Sequence, residues 1–143
     1  MAAAEEVWRV LRPGGKLVIV DSDDALWGLT DPAIPEMALI VEKYGLAQAA
    51  RGGNRLVGRR LWRILEATGF VDLDLEAAVF HSDALGIEAF LPQFDADRLL
   101  PLVSAGLITE EQIERIRASL EAFLAADRPY AAMVLWMACG KKP

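Results

Sequence analysis

The chain has 143 residues, 54% of them hydrophobic, and a formal net charge of −6 at pH 7. That length supports one domain with a sizeable core, so residues 1–143 are predicted to form a single domain. The acidic balance argues against binding to a nucleic-acid backbone, and no apolar run approaches the roughly 20 residues that a membrane span needs. One cysteine, one histidine and no predicted signal peptide indicate a cytoplasmic protein without a metal site.

The first predicted elements are the end of a helix near residue 12, a glycine turn and a buried strand. Pro13 cannot continue a helix, and Gly14 or Gly15 suits a left-handed cap. The run at 16–21 contains Leu-Val-Ile-Val without alternation, which is typical of a strand covered on both faces. Residues 22–32 are rich in acidic and turn-forming residues and are predicted to form a loop.

Two helices and a strand are predicted in the middle of the chain. The helices cover 33–50 and 55–68, with Asn54 as the N-cap of the second helix and Gly69 at its end. Alternation of apolar and acidic residues over 70–80 predicts a half-exposed strand near a sheet edge. Short helices follow within 84–103.

The clearest helix is predicted over 109–126. Thr109 and Gln112 have the spacing of a capping box. The apolar residues at helical spacing are Ile113, Ile116, Leu120, Phe123 and Leu124. Residues 130–139 form a final apolar strand in this prediction, and 141–143 a solvated tail.

Three of these segments resemble class I S-adenosylmethionine-dependent methyltransferases. The Leu-Arg-Pro-Gly-Gly run at 11–15 is similar to the turn that leads into that family's fifth strand. Residues 61–70 resemble the helix before its sixth strand, and 134–141 resemble its last strand. The resemblance implies an α/β fold: a partial doubly wound, Rossmann-like methyltransferase sheet of three strands, the last antiparallel, with several helices. Because the matching turn begins near residue 9, the resemblance is to the C-terminal half only.

The cofactor that the resemblance implies is S-adenosylmethionine. In that family a glycine-rich turn after the first strand holds the methyl donor, and no G-x-G-x-G pattern follows a strand here. We therefore expect this chain alone not to bind the donor. Two functions stay open: a truncated or split methyltransferase that contributes the acceptor side of a methyl-transfer site, acting on a small-molecule nucleophile, and a non-catalytic dimerisation or interaction module derived from that fold.

A partner is predicted from the first strand. In the family the fifth strand lies beside a fourth, which this chain lacks, so residues 17–20 would form an exposed apolar sheet edge. Such edges pair with other chains. The expected partners are a second copy of the chain or a separate N-terminal methyltransferase half.

Candidate catalytic residues lie at the end of the first strand, where open α/β sheets place their ligands. The resemblance implies that an acidic residue there, Asp21 or Asp23, orients or deprotonates the acceptor. The alternative is a turn of solvated carboxylates. Trp27 is a candidate wall of the acceptor pocket, or else a core residue.

Asn54 and Arg59 are the other candidate substrate ligands. Arg59 belongs to a run of arginines at 51, 55, 59 and 63, whose four-residue spacing would form one helical stripe. Such a stripe could hold a carboxylate or phosphate of the acceptor. The alternatives are a solvated face paired with acidic residues for the arginines, and a helix cap for Asn54.

Overall fold

The computed structural model describes residues 2–143, whose contacts form two compact units. The first unit consists of residues 2–23, 56–79 and 134–143, and the second of residues 24–55 and 80–133. Each unit has its own cluster of buried apolar side chains.

Residues 2–143 contain six α-helices and four strands. The helices are α1 (Ala2–Val10), α2 (Met37–Ala49), α3 (Leu61–Thr68), α4 (Ser82–Leu85), α5 (Leu100–Ser104) and α6 (Glu110–Leu124). The strands are β1 (Lys16–Ser22), β2 (Leu29–Asp31), β3 (Val71–His81) and β4 (Tyr130–Lys141). Short 3₁₀ turns lie at Asp24–Leu26, Gly58–Arg60, Ile87–Ala89, Leu91–Gln93 and Ala96–Leu99. The predicted α/β class is confirmed.

The sheet is built on β4. In the first unit β1 runs antiparallel to β4, from the pair Lys16↔Lys141 to the pair Ser22↔Leu135. In the second unit β2 runs antiparallel to the start of β4. Strand β3, which lies mostly in the first unit, also pairs with β4. The antiparallel last strand is confirmed. The expected count of three strands is wrong, because β2 has only three residues and is too short to produce a recognisable alternation.

The core of the first unit lies on one face of β1. Leu17 and Ile19 pack with the buried Leu61 and Leu65 of α3. Side chains alternate along a strand, so Val18 and Val20 point to the other face, where they are 55% and 54% exposed. The expectation that this strand is covered on both faces is therefore wrong for the part of the chain that the structure describes.

The core of the second unit is formed largely by α6 and by residues 90–108. Thr109 accepts a hydrogen bond from the amide of Gln112 at 3.1 Å, and the Gln112 side chain accepts one from the Thr109 amide at 2.9 Å, so the predicted capping box is confirmed. Four of the five predicted stripe positions are buried, and Leu124 is partly buried.

The helix predicted over 55–68 begins later than expected. Residues 58–60 form a 3₁₀ turn, α3 begins at Leu61, and no side chain caps it. Asn54 is therefore not the N-cap of this helix. A glycine inside a helix costs about 1 kcal/mol relative to alanine. Gly58 lies among residues 55–60, which were predicted to be α-helical and are not. The end of α3 at Gly69, which has a left-handed φ of 94°, is as predicted.

The glycine turn after α1 is held by the far end of the chain. Gly14 has φ +77°, and its amide donates to the carbonyl of Lys142 at 2.9 Å. The Lys142 ammonium donates to the carbonyls of Trp8 and Leu11 at 2.7 and 2.6 Å and lies 5.1 Å from the centroid of a Trp8 ring. Lys142 thus supplies positive charge and donors where a helix end leaves carbonyls unsatisfied. The prediction of a solvated tail is wrong for this residue.

Replacing Lys142 by methionine tests this contact. Two hydrogen bonds from a charged donor are lost, so we expect the Lys142→Met variant to lose about 1–3 kcal/mol of unfolding free energy in urea titration. The matched control is Lys141→Met. Lys141 lies 3.8 Å from an exposed carboxylate of Asp72, and its loss should cost less than about 1 kcal/mol. Equal losses in the two variants would refute the capping role.

Candidate functional site

In the first unit, Asp23 forms a buried ion pair with Arg59. The Asp23 side chain is 1% exposed, and both of its oxygens accept hydrogen bonds from Arg59, from Nε and, at 2.7 Å, from Nη2. Arg59 is about half exposed, and its hydrogen bond to Asp23 raises the pKa of the guanidinium above its ordinary value. The guanidinium therefore keeps its charge throughout the ordinary pH range. The structure brings together these two candidate site residues, one predicted as catalytic and one as a substrate ligand.

The approach of Arg59 to Asp23 depends on a glycine. A Cβ on Gly58 would lie 2.5 Å from Cδ1 of Trp136 and 2.7 Å from the carbonyl oxygen of Ser22. Both distances are shorter than a carbon atom tolerates, so the backbone of the 3₁₀ turn comes this close to β1 and β4 only because residue 58 has no side chain.

Asp21 has a different environment from Asp23. Its side chain is exposed, and one of its oxygens accepts a hydrogen bond from the amide of the next residue, Ser22, at 2.8 Å. Its register partner on the neighbouring strand β4 is Trp136. Of the two predicted catalytic carboxylates, Asp21 is accessible to solvent and Asp23 is not.

In the second unit a similar ion pair joins Asp24 and Arg55. Asp24 is 3% exposed, and both of its oxygens accept hydrogen bonds from the Arg55 guanidinium, from Nε and, at 3.2 Å, from Nη2. The backbone amide of Asp24 also donates to the carbonyl of Arg55 at 2.9 Å. The guanidinium carbon of Arg55 lies 5.2 Å from the ring centroid of Tyr44, within the range of a cation–π contact. Arg55 is therefore fixed by three separate contacts.

These residues form the wall of a small cavity in the second unit. The cavity has a volume of about 40 Å³ and is lined by Asp24, Trp27, Tyr44 and Arg55 together with side chains of α2 and of residues 93–99. Trp27 also packs against the apolar cluster of this unit, as the core alternative predicts, and its role as a wall of an acceptor pocket stays a prediction. That volume holds a few water molecules or a small chemical group.

A larger cleft shares part of this wall. It has a volume of about 240 Å³, and Tyr44, Arg55 and Arg98 line both spaces. The remaining polar residues of the cleft are Gln48 and Arg51. The Tyr44 hydroxyl donates to the carbonyl of Arg98 at 3.1 Å, which ties α2 to the 3₁₀ turn at Ala96–Leu99.

No protein-family model and no curated protein matches this chain. Among solved structures, the chain is similar to phosphoethanolamine N-methyltransferase 2 of Haemonchus contortus, which was solved in complex with phosphomonomethylethanolamine and S-adenosylhomocysteine. The match covers 98% of this chain and 29% of that enzyme, at 17% identity and a TM-score of 0.39. The chain thus spans less than a third of the enzyme that it matches. Similarity at this level does not assign the chain to a family.

The other candidate residues are separated by the fold. Asn54 is exposed, lies between α2 and α3, and is not among the lining residues of the two spaces described above. The arginine stripe does not form, because residues 51–57 are not helical. Arg55 and Arg59 instead pair with the consecutive acids Asp24 and Asp23. The alternative predicted acidic partners on a solvated face, whereas these two carboxylates are buried.

Sequence reasoning missed Tyr44, Gln48 and Arg98 as lining residues. Tyr44 fits the apolar pattern of the helix predicted over 33–50, and that pattern favours a core position over a place in a cavity wall. Arg98 is separated from α2 by about fifty residues, and nothing in the local pattern indicates that the two segments meet. Within residues 2–143, no helix is both long enough and apolar enough to cross a membrane.

The Asp23–Arg59 pair generates a stability prediction. Asp23→Asn keeps the size of the side chain but removes its charge and replaces one acceptor oxygen by an NH2 donor, so one of the two hydrogen bonds from Arg59 is lost. We expect the free energy of unfolding to fall by about 1–3 kcal/mol. The control is Asp21→Asn, an exposed position at which the change should stay within about 0.5 kcal/mol. Urea titration of both variants decides the matter. If the Asp23 variant is as stable as the parent, the pair does not hold this segment.

Proposed function

We propose that this chain supplies the acceptor side of an S-adenosylmethionine-dependent methyl-transfer site for a small-molecule nucleophile. One observation carries the proposal. The turn that resembles the methyltransferase family leads into β1, and the loop that follows β1 brings Asp24 and Trp27 to the wall of a cavity. In the family that this turn resembles, the corresponding loop faces the acceptor.

Methyl transfer requires the protein mainly to align the acceptor atom with the methyl group of the donor. The methyl group leaves the sulfonium of the donor as the acceptor atom forms its new bond to carbon, and a proton passes from the acceptor to a base or to solvent. The donor is already activated, so holding the reacting atoms in line supplies most of the rate. In this proposal the ring of Trp27 is a flat wall against which the acceptor is held.

The two predicted catalytic acids take different roles in this proposal. Asp23 is buried against Arg59 and holds the start of the loop. Asp21 is exposed, and it remains the proposed proton acceptor. In the second unit Asp24 fixes Arg55, because both of its oxygens already accept hydrogen bonds from that guanidinium.

In this proposal the methyl donor is held by residues outside 1–143. The chain has no glycine-rich turn after a strand, so we propose a separate N-terminal methyltransferase half as the partner that binds S-adenosylmethionine. The cytoplasm, where such a partner would meet it, is the proposed location.

A methyl-transfer assay tests the proposal. The chain is co-purified with the polypeptide encoded immediately upstream and incubated with methyl-labelled S-adenosylmethionine and the small-molecule fraction of a cell extract. We expect label to enter a small molecule, and Trp27→Ala to reduce the rate by roughly tenfold or more because the acceptor is misaligned. Trp62→Ala is the matched control, since Trp62 lies exposed on α3 in the other unit.

The outcomes of this assay are distinct. The chain alone should transfer no label and give no binding heat with S-adenosylmethionine in titration calorimetry. Micromolar donor binding by the chain alone would contradict the assignment of the donor site to a partner. Undiminished transfer by the Trp27 variant would contradict the assignment of the acceptor site.

The exposed face of β1 favours a second candidate function, a non-catalytic dimerisation module. Val18 and Val20 are more than half exposed, and their register partners on β4 are Cys139 and Met137. Register partners in an antiparallel pair project from the same face of a sheet, so these four side chains form one apolar patch. A second copy of the chain is the proposed occupant, because the same patch on each protomer would be self-complementary.

Light scattering tests the second candidate. We expect a dimer at micromolar concentrations and a monomer when Val18 and Val20 are both replaced by lysine, because the charged side chains would have to be desolvated on association. Leu85→Lys, at an exposed apolar position in the second unit, is the control and should leave the mass unchanged. A monomeric parent chain at these concentrations would refute the dimer.

A further inference from the structure

The larger cleft of the second unit concentrates positive charge in an acidic protein. Arg51, Arg55 and Arg98 all line it, and its lining residues include no carboxylate among those that the structure describes. Arg51 lies just after α2, Arg55 lies four residues further on, and Arg98 lies in the 3₁₀ turn at Ala96–Leu99. Arg51 and Arg55 are close in sequence, and the fold adds the distant Arg98 to them.

Only part of this charge is balanced within the described residues. Arg55 is neutralised by Asp24, which uses both oxygens on it. Arg98 donates from Nη1 to the carbonyl of Pro92 at 2.7 Å and to Oε1 of Gln93 at 2.8 Å, and both of these acceptors are uncharged. The Arg51 side chain has no hydrogen bond or ion pair to residues 2–143. Two guanidinium charges at the cleft are thus without a counter-charge.

The rest of the cleft lining is apolar or aromatic, apart from Gln48. Ala47, Pro101, Leu102 and Ala105 contribute to its lining, and Tyr44 adds an aromatic ring. The volume of about 240 Å³ is slightly below the roughly 300–1,000 Å³ of pockets for drug-sized ligands. A ligand matched to this cleft is a small molecule with a charged head and a compact apolar body.

We propose that this cleft binds a small organic dianion, whose doubly charged oxyanion head faces Arg51 and Arg98 and whose apolar body packs against α5 and α2. Arginine is suited to this task, because its planar fork pairs two donors with carboxylate or phosphate oxygens. A phosphate monoester carries a charge of about −1.5 to −2 at neutral pH, and a dicarboxylate carries a similar charge. Either head balances the two uncompensated guanidinium groups.

This inference deepens the proposed function and rests on it for one point, that the bound anion is the methyl acceptor. The smaller cavity, walled by Trp27, shares Tyr44, Arg55 and Arg98 with the cleft. A molecule anchored by its anionic head in the cleft would extend its other end toward Trp27. The anion site would therefore select acceptors that carry a phosphate or two carboxylates.

The test is a binding measurement on the purified chain, without methyl donor. Titration calorimetry at low ionic strength uses phenyl phosphate, phthalate, inorganic phosphate and uncharged phenol as probes. We expect saturable binding of one or both organic dianions, weaker binding of inorganic phosphate, which lacks the apolar body, and none of phenol. Preference for phenyl phosphate identifies a phosphate head, and preference for phthalate identifies a dicarboxylate.

Three variants locate the site. Arg51→Gln and Arg98→Gln should each weaken binding by roughly tenfold to a hundredfold, the loss typical of a charge-assisted hydrogen bond. Arg63→Gln changes the net charge equally at an exposed position on α3, and its affinity should stay within about twofold of the parent. Arg51 has no described partner to lose, so its variant keeps the test valid if Arg98→Gln is unstable.

Two results would overturn the inference: no saturable binding of either organic dianion, or the same loss of affinity in all three variants. The second would mean that the anions respond to net charge alone. The binding test needs neither methyl donor nor partner, so it is independent of the transfer assay. Dianion binding by the chain, together with no methyl transfer by the chain and its co-purified partner, would refute the proposed function and leave the anion site standing. Methyl transfer without dianion binding would refute the anion site and leave the proposed function standing.

Discussion

Two consecutive buried carboxylates impose the strongest constraint on this chain. Asp23 and Asp24 are almost fully removed from solvent, and each is held by both oxygens to a separate arginine. Burying an ionised carboxylate without a partner costs several kcal/mol, whereas helix propensities differ by less than about 1 kcal/mol per residue. The segment that supplies Arg55 and Arg59 therefore adopts the shape that the acids require. The continuous helix that its sequence favours gives way to a loop and a 3₁₀ turn.

The burial of Asp24 also fixes the position of one arginine of the candidate site. Arg55 is immobilised by Asp24 and by the ring of Tyr44, so one guanidinium at the wall of the cleft is already oriented and neutralised. The positive charge left for a ligand comes from Arg51 and Arg98. A net charge of −6 describes the whole chain and argues against a polyanionic partner, but it does not describe this cleft. Small anions respond to the local field, and clefts with low-dielectric walls concentrate it.

An apolar sequence pattern alone does not show whether a strand is buried on one face or on both. The run Leu17–Val20 has the composition of a strand buried on both faces, yet the described residues cover only the face that carries Leu17 and Ile19. Valine on an exposed face is compatible with a strand, because its β-branched side chain favours the extended backbone in either environment. The proposal of a partner, whether a second copy or a donor-binding half, rests on this exposed apolar face.

The sequence by itself determined the elements that depend on neighbours in the chain. The capping box of α6, the three- and four-residue spacing of its apolar stripe and the stop at Gly69 each depend on residues close in the chain, and all were predicted. The tertiary structure alone decided the contacts that span long stretches of chain. Asp24 and Arg55 are separated by 31 positions, Asp23 and Arg59 by 36, and Trp8 and Lys142 by 134. Local patterns carry backbone preference and amphipathicity, but which charges meet depends on how the elements pack, and at this site the energy of pairing buried charges exceeded the local preference.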